Sequence, residues 1–267
     1  MKQAFVKMQG AGNDFVLIDA REKPFRPDPD LVRWIADRRY GIGCDQLLVI
    51  EFAGGGTAYH IYNSDGSTAA QCGNGARCVA RYLADLGAIK PGDTLQSPGG
   101  SVVVDFEAGL VSIDMGHPSF ESAAAGFSGA ARDVIEIDGT TWTFDIVSFG
   151  NPHAVIAVDD IGSAPVGAVG RALQEDERFA ESVNVGFAQV VDRGHMRLIV
   201  YERGAGETLA CGSGACAAVA VARRDDRVDD AVNVTLPGGT LRIFSDDIGS
   251  MRMAGPAEYS FRGEFER

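Results

Sequence analysis

Lysine is scarce in this chain. Lys2, Lys7, Lys23 and Lys90 are the whole supply. None stands in a site-like motif, which argues against a Schiff-base lysine and so against a pyridoxal cofactor. Basic residues are few altogether, 24 Lys and Arg against 37 Asp and Glu, for a net charge of −13. Nucleic acids demand a basic footprint, so no nucleic-acid partner is expected. No apolar run approaches the ~18 residues of a membrane span. The start, Met1 to Val6, runs directly into strand-like sequence without the regions of a signal peptide. No membrane partner and a cytoplasmic location follow as expectations. The five cysteines are odd in number and none forms a CxxC pair. That fits reduced thiols better than a disulfide framework and disfavours a metal site.

What the chain does have is a repeated design. Gln71-Cys72-Gly73-Asn74-Gly75-Ala76 and Ala210-Cys211-Gly212-Ser213-Gly214-Ala215 place a cysteine before Gly-x-Gly at positions 72 and 211, 139 apart. Other pairs keep that spacing within one residue. Gly12-Asn13 corresponds to Gly150-Asn151, Tyr62-Asn63 to Tyr201-Glu202, and Pro98-Gly99-Gly100 to Pro237-Gly238-Gly239. Five matches in order, counting the close of each copy at Gly116 and Gly255, indicate an internal duplication. The expected domains are 1–118, with the tail 257–267 packing on it, and 119–256. The small-residue stretch 122–131 reads as a surface loop.

The local patterns are alike in both copies. Short apolar runs such as Leu47-Leu48-Val49-Ile50 and Val102-Val103-Val104 read as strands. A helix is predicted over Pro29–Arg39, capped by Asp28 with Pro29 at its first position. A second is predicted from about Asn74 to Leu86, stopped by Gly87, and its counterpart from about Ser213 to Arg224. From Gly212 to Ala222 the counterpart carries no charge, and a helix apolar all round is buried all round. The expected fold is mixed α/β: two pseudo-symmetric domains, each a mainly antiparallel sheet curled around a central buried helix, with the active site in the cleft between them.

A helix N-terminus presents N–H groups without intrahelical partners and a partial positive charge. It binds carboxylate and favours thiolate over thiol. Each copy therefore offers an anion cradle beside a sulfur. If two such cradles hold one carboxylate, the sulfurs flank the adjacent carbon, the arrangement needed to invert a stereocentre. One thiolate removes the α-proton and a thiol on the other face returns one. Cys44, Cys78 and Cys216 read as core residues instead.

Several motifs resemble the diaminopimelate epimerase family, the pyridoxal-independent two-cysteine epimerases. They are Met8 to Phe15, Gly41-Ile42-Gly43-Cys44-Asp45-Gln46, Asn63 to Ser67, Gln71 to Cys78, Gly150-Asn151-Pro152-His153, Val183-Asn184-Val185, Tyr201 to Thr208, and Ala210 to Cys216. Cys44 replaces the alanine usual in its motif and adds an oxidisable thiol. The resemblance implies interconversion of LL- and meso-diaminopimelate, for lysine and peptidoglycan synthesis, by a homodimer without cofactor or metal. It implies Cys72 and Cys211 as acid and base, with the reacting carboxylate on Gly73-Asn74 and Gly212-Ser213. Asn13, Gln46, Asn63, Asn151, Asn184 and Arg203 would hold the rest, Arg203 taking the distal carboxylate. Glu202 would accept from the reacting ammonium, and His153 would assist the thiol chemistry. Two other functions compete: a proline- or hydroxyproline-type racemase, and a thiol redox sensor in which Cys72 and Cys211 form a disulfide.

Overall fold

The run Phe15-Val16-Leu17-Ile18 is buried along its whole length, on both faces of its strand. A strand buried on both faces lies inside a sheet covered on both sides. The computed structural model, which describes residues 2–53, 56–107, 109–245 and 249–267, shows how. The chain forms two compact units, one of residues 1–114 with 254–267 and one of residues 115–253.

The first unit runs β1 (Lys2–Gly10), β2 (Asn13–Asp19), α1 (Pro29–Ala36), β3 (Gln46–Ala53), β4 (Gly56–Asn63), β5 (Thr68–Ala69), α2 (Gly73–Asp85), β6 (Thr94–Ser97), β7 (Gly100–Glu107) and β8 (Leu110–Asp114). The second runs β9 (Arg132–Ile137), β10 (Thr140–Ser148), β11 (Pro152–Ala157), α3 (Val166–Gln174), β12 (Asn184–Asp192), β13 (His195–Glu202), β14 (Gly206–Thr208), α4 (Gly212–Arg224), β15 (Ala231–Leu236) and β16 (Gly239–Ser245), and β17 (Met251–Gly255) begins in it and ends in the first. A last strand, β18 (Glu258–Glu266), returns to pair antiparallel with β1.

The duplication is visible in the pairing. In the first unit β1 and β2 are antiparallel, β2 and β3 parallel, β3 and β4 antiparallel, β4 and β6 parallel, and β6 and β7 antiparallel, with short β5 on β4. The second unit repeats this order with β10, β11, β12, β13, β15 and β16, and β14 on β13. Each sheet is thus mixed and mainly antiparallel, as the sequence predicts. Side-chain alternation divides its two faces. Val16, Ile18, Leu47 and Val49 pack with Val32 and Ile35 of α1. On the other face Phe15 and Leu48 lie against Gly75 of α2. In the second unit Ala154, Ile156, Val185 and Phe187 pack with Val169 and Leu173 of α3, while Val200 lies against Gly214 of α4. The buried faces of α2 and α4 take in Asn74 to Ala80 and Gly214 to Ala222.

Local differences from expectation have physical causes. α1 stops at Ala36 rather than Arg39, because Ile42 and Gly43 fold back to donate to Ile35 O and Cys44 to Ala36 O. α2 and α4 begin one residue earlier than predicted, which makes Cys72 and Cys211 themselves the N-caps. Helix α3 is hidden in the sequence by Gly167 and Gly170. At Gly170 a Cβ would lie 2.6 Å from Tyr201 Cγ, so the glycine lets the helix settle on that ring. The stretch 122–131 is not all surface loop, since Ala125 and Phe127 are core and Phe127 stacks 4.5 Å from Phe179. Among the described residues no helix is long and apolar enough to cross a membrane.

Candidate active site

Each unit carries one half-site, built from the same four places: the turn before β2 or β11, the start of β3 or β12, the end of β4 or β13, and the N-terminus of α2 or α4.

In the first unit a turn with Gly12 at φ +83° sets Asn13 at the head of β2. Gln46 opens β3, Asn63 ends β4 and Cys72 caps α2. Cys72 has extended backbone and its Sγ accepts from Gly75 N at 3.4 Å. The thiol donates to Asn13 Oδ1 at 3.7 Å, and Asn74 Nδ2 donates to the same oxygen at 3.3 Å. Gln46 Nε2 donates to Asn63 Oδ1 at 2.9 Å, whose amide donates on to Ser67. The other end of Gln46, Oε1, is buried and has no protein donor among the described residues. Gly73 and Asn74 form the first turn of α2, where N–H groups lack an acceptor four residues back.

In the second unit Gly150, at φ +88°, turns the chain into Asn151 and β11. Asn184 opens β12, Glu202 ends β13 and Cys211 caps α4. A chain of polar contacts joins them. His153 Nε2 meets Asn151 Oδ1 at 3.1 Å, Asn151 Nδ2 donates to Ser213 Oγ at 3.1 Å, and Ser213 Oγ lies 3.7 Å from Cys211 Sγ. Asn184 Nδ2 donates to Pro152 O at 3.1 Å and its Oδ1 accepts from Arg203 N at 3.0 Å. Glu202 accepts from the Thr208 hydroxyl. The Arg203 guanidinium donates to Glu181 O at 3.0 Å.

The electrostatics of the halves differ. Burial pushes the Cys211 thiol up, and the adjacent Glu202 carboxylate pushes it further; Gly214 N–H and Ser213 oppose them. No carboxylate occupies the Glu202 place in the first unit, where Asn63 stands instead. Cys44 is buried and its thiol is raised to about 11 by burial, which keeps it inert beside Lys7. Cys78 and Cys216 are fully buried in α2 and α4. Among the described residues no three His, Cys, Asp or Glu side chains come together as metal ligands would.

His153 is buried and lowered to about 3 by burial, with the Arg203 charge adding to the effect. It is therefore neutral at physiological pH, and its place is behind Asn151. The sign of the linkage follows. An unfolded histidine binds its proton below about 6.5, whereas the folded one waits until about 3. Between those values the unfolded state holds more protons, so stability falls as pH falls. In urea denaturation between pH 6.5 and 5, His153→Gln should lose less stability than the parent, by up to about 1.4 kcal/mol per pH unit. Parallel slopes would contradict a neutral His153.

Two residues escape the sequence reading. Arg77, fully buried, donates to Asn74 Oδ1 at 2.9 Å, and Asp45 Oδ2 accepts from Asn13 Nδ2 at 2.8 Å. Both stand inside the quoted motifs, but their partners cannot be read from spacing.

The family model described as diaminopimelate epimerase matches residues 5–121 and 146–260. A diaminopimelate epimerase of Xanthomonas campestris pv. campestris is 50% identical over 274 aligned residues, spanning 98% of this chain and 96% of that protein. One of Alkalilimnicola ehrlichii is 48% identical, spanning 99% of both. Among solved structures, a hydroxyproline epimerase from Agrobacterium vitis with bound trans-4-hydroxy-L-proline gives a TM-score of 0.67 over 98% of this chain and 92% of that one. At 14% identity that likeness is one of fold.

Proposed function

Because the chain belongs to the diaminopimelate epimerase family, we propose that it interconverts LL- and meso-2,6-diaminopimelate with Cys72 and Cys211 as the acid/base pair. The observation that carries this reading is the duplicated helix start, a cysteine N-cap followed by Gly-x-Gly in each unit. The two half-sites act on one α-carbon, one thiol to each face. A thiolate takes the α-proton, the C–H electron pair passes into the carboxylate as an enediolate, and the opposite thiol delivers a proton to the carbon. The pair holds one proton before and after the turnover, with the two sulfurs exchanging roles, so its titration belongs to the pair. N–H groups of Gly73-Asn74 and Gly212-Ser213 stabilise the enediolate charge.

The difference between the halves supports an order of events. The charge on Glu202 holds the Cys211 thiol up. A substrate ammonium settling on Glu202 cancels that charge, so that of the two causes only burial still holds the thiol up, and ionisation becomes easier. Gln46 Oε1 is a buried acceptor suited to an N–H donor, and Asn63, which accepts from Gln46 Nε2, stands beside it. His153 supports the thiol chemistry by fixing Asn151. Asn184 positions Arg203, which takes the distal carboxylate. No cofactor takes part. The product serves lysine and peptidoglycan synthesis, and the enzyme works as a cytoplasmic homodimer.

The test is incubation with LL-diaminopimelate in deuterated buffer, reductant present and nothing else added. Inversion should carry one deuterium into the α-carbon. Absence of exchange under these conditions would sink the reading.

A further inference from the structure

The two equivalent asparagines present opposite ends of their amides to their half-sites. Asn151 turns its Nδ2 to Ser213 and its Oδ1 to His153. Asn13 turns its Oδ1 to Cys72 and Asn74, and its Nδ2 away to Asp45. An amide has no preference of its own, since both ends hydrogen-bond. Its direction must come from neighbours that can act only as donor or only as acceptor.

Around Asn13 both kinds are present. Arg77 can only donate, and it occupies Asn74 Oδ1, leaving Asn74 Nδ2 to face Asn13. An ionised Asp45 can only accept, and it takes Asn13 Nδ2. Donation therefore runs one way, from Arg77 through Asn74 and Asn13 to Asp45. Both ends are held. Arg77 is fully buried and donates also to Pro256 O at 3.5 Å. Asp45 accepts from Arg38 at 2.7 Å and from Asp14 N at 3.1 Å. Arg38 also grips Asp14, at 2.6 and 2.9 Å, and Lys7 reaches Asp14 from below. At the place equivalent to Arg77 the second unit has Cys216, so that half lacks the donor end.

We propose that Arg77 and Asp45 are positioning residues that clamp the Asn74–Asn13 amide chain in one direction, so that Asn13 offers an oxygen to Cys72 and makes it the thiol that keeps its proton. A carbonyl oxygen accepts from S–H and repels a thiolate. The Gly75 N–H, donating to Cys72 Sγ at 3.4 Å, works against the clamp, while two titratable neighbours, Tyr59 of β4 and Cys78 of α2, are kept neutral by burial. The substrate-free protein is thus primed asymmetrically. Cys72 holds its proton through the clamp, while Cys211 holds its own through burial and the Glu202 charge.

This rests on reading Cys72 as an acid/base thiol, but its test reads the sulfur whether or not the protein epimerises anything. Wild type, Asp45→Asn and Asp45→Ala are alkylated with iodoacetamide across pH, and the Cys72 peptide is followed by mass spectrometry. Both variants remove the same charge. Asparagine keeps an oxygen for Asn13 Nδ2 and Asp14 N; alanine removes the acceptor end of the clamp and leaves the Asn13 amide held only through Asn74 Nδ2. The Cys72 inflection in Asp45→Ala should fall about one pH unit below that in Asp45→Asn. Coincident inflections in the two variants would overturn the clamp. A neutron structure of the deuterated wild-type protein tests it without any variant. It should show both Asn13 Nδ2 deuterons turned from Cys72, one of them toward Asp45, and a deuteron aimed at the sulfur would overturn the proposal.

Discussion

Cys72→Ser is expected to be folded and nearly inactive, with kcat for epimerisation reduced about 10²–10⁴-fold in both directions. Serine is the informative substitution because Cys72 does two jobs. Its sulfur caps α2 by accepting from Gly75 N. Alanine would lose that cap and cost about 0.5–2 kcal/mol, mixing instability with lost chemistry. Serine is among the best N-caps, so thermal unfolding should stay near the parent. A hydroxyl in place of the thiol, however, is far too weak an acid to ionise and act as the base at neutral pH. At the other half-site Cys211 Sγ makes no side-chain cap bond to α4, so Cys211→Ala gives up chiefly the contact with Ser213 Oγ. It too should lose inversion in both directions by a factor of about 10²–10⁴. Microscopic reversibility demands this symmetry, because the acid of one direction is the base of the other. The measurement is circular dichroism or a coupled assay starting from each stereoisomer in turn. Full turnover by either variant from either isomer would leave the two-base mechanism without support.

The cysteine turns were legible because everything they need lies within five residues: an N-cap, glycines for close approach, and an apolar helix. The mixed sheet was legible for a similar reason, since burial on both faces leaves unbroken apolar runs such as Leu47 to Ile50. Helix α3 was not, because two glycines lower its local propensity and its stability comes from packing on Tyr201. Phe127 was lost in a small-residue stretch, although its partners Phe144 and Phe179 lie far along the chain. At the site, residue types and turns could be read, but not the direction of each amide. That direction depends on Asp45, Arg77 and His153, whose roles emerge only when strands distant in sequence are laid side by side. His153 illustrates the difference. The family resemblance makes it a helper to the thiol chemistry, and the fold adds that it is neutral, buried and in contact with Asn151.

Specificity for a substrate with two amino-acid ends gives the second large effect. Arg203→Ala should raise KM for diaminopimelate about 10–100-fold, with a smaller fall in kcat. Its guanidinium is partly exposed and held by Glu181 O and, at 3.5 Å, by a carboxylate that is itself 84% exposed. Such a pair is worth little, so the guanidinium can leave it for a ligand. Its backbone is not so free, since Asn184 Oδ1 fixes Arg203 N. The side chain thus swings from a set base at the end of β13, and its planar fork suits a carboxylate. Arg203→Lys keeps the charge without the fork and should fall between wild type and alanine. Lysine, which is diaminopimelate without the distal carboxylate, separates this role from a general loss of structure. Whatever α-proton exchange the wild type catalyses on lysine should change little in Arg203→Ala. If KM for diaminopimelate were unmoved, or lysine exchange fell in step, Arg203 would not be the group that reads the far end.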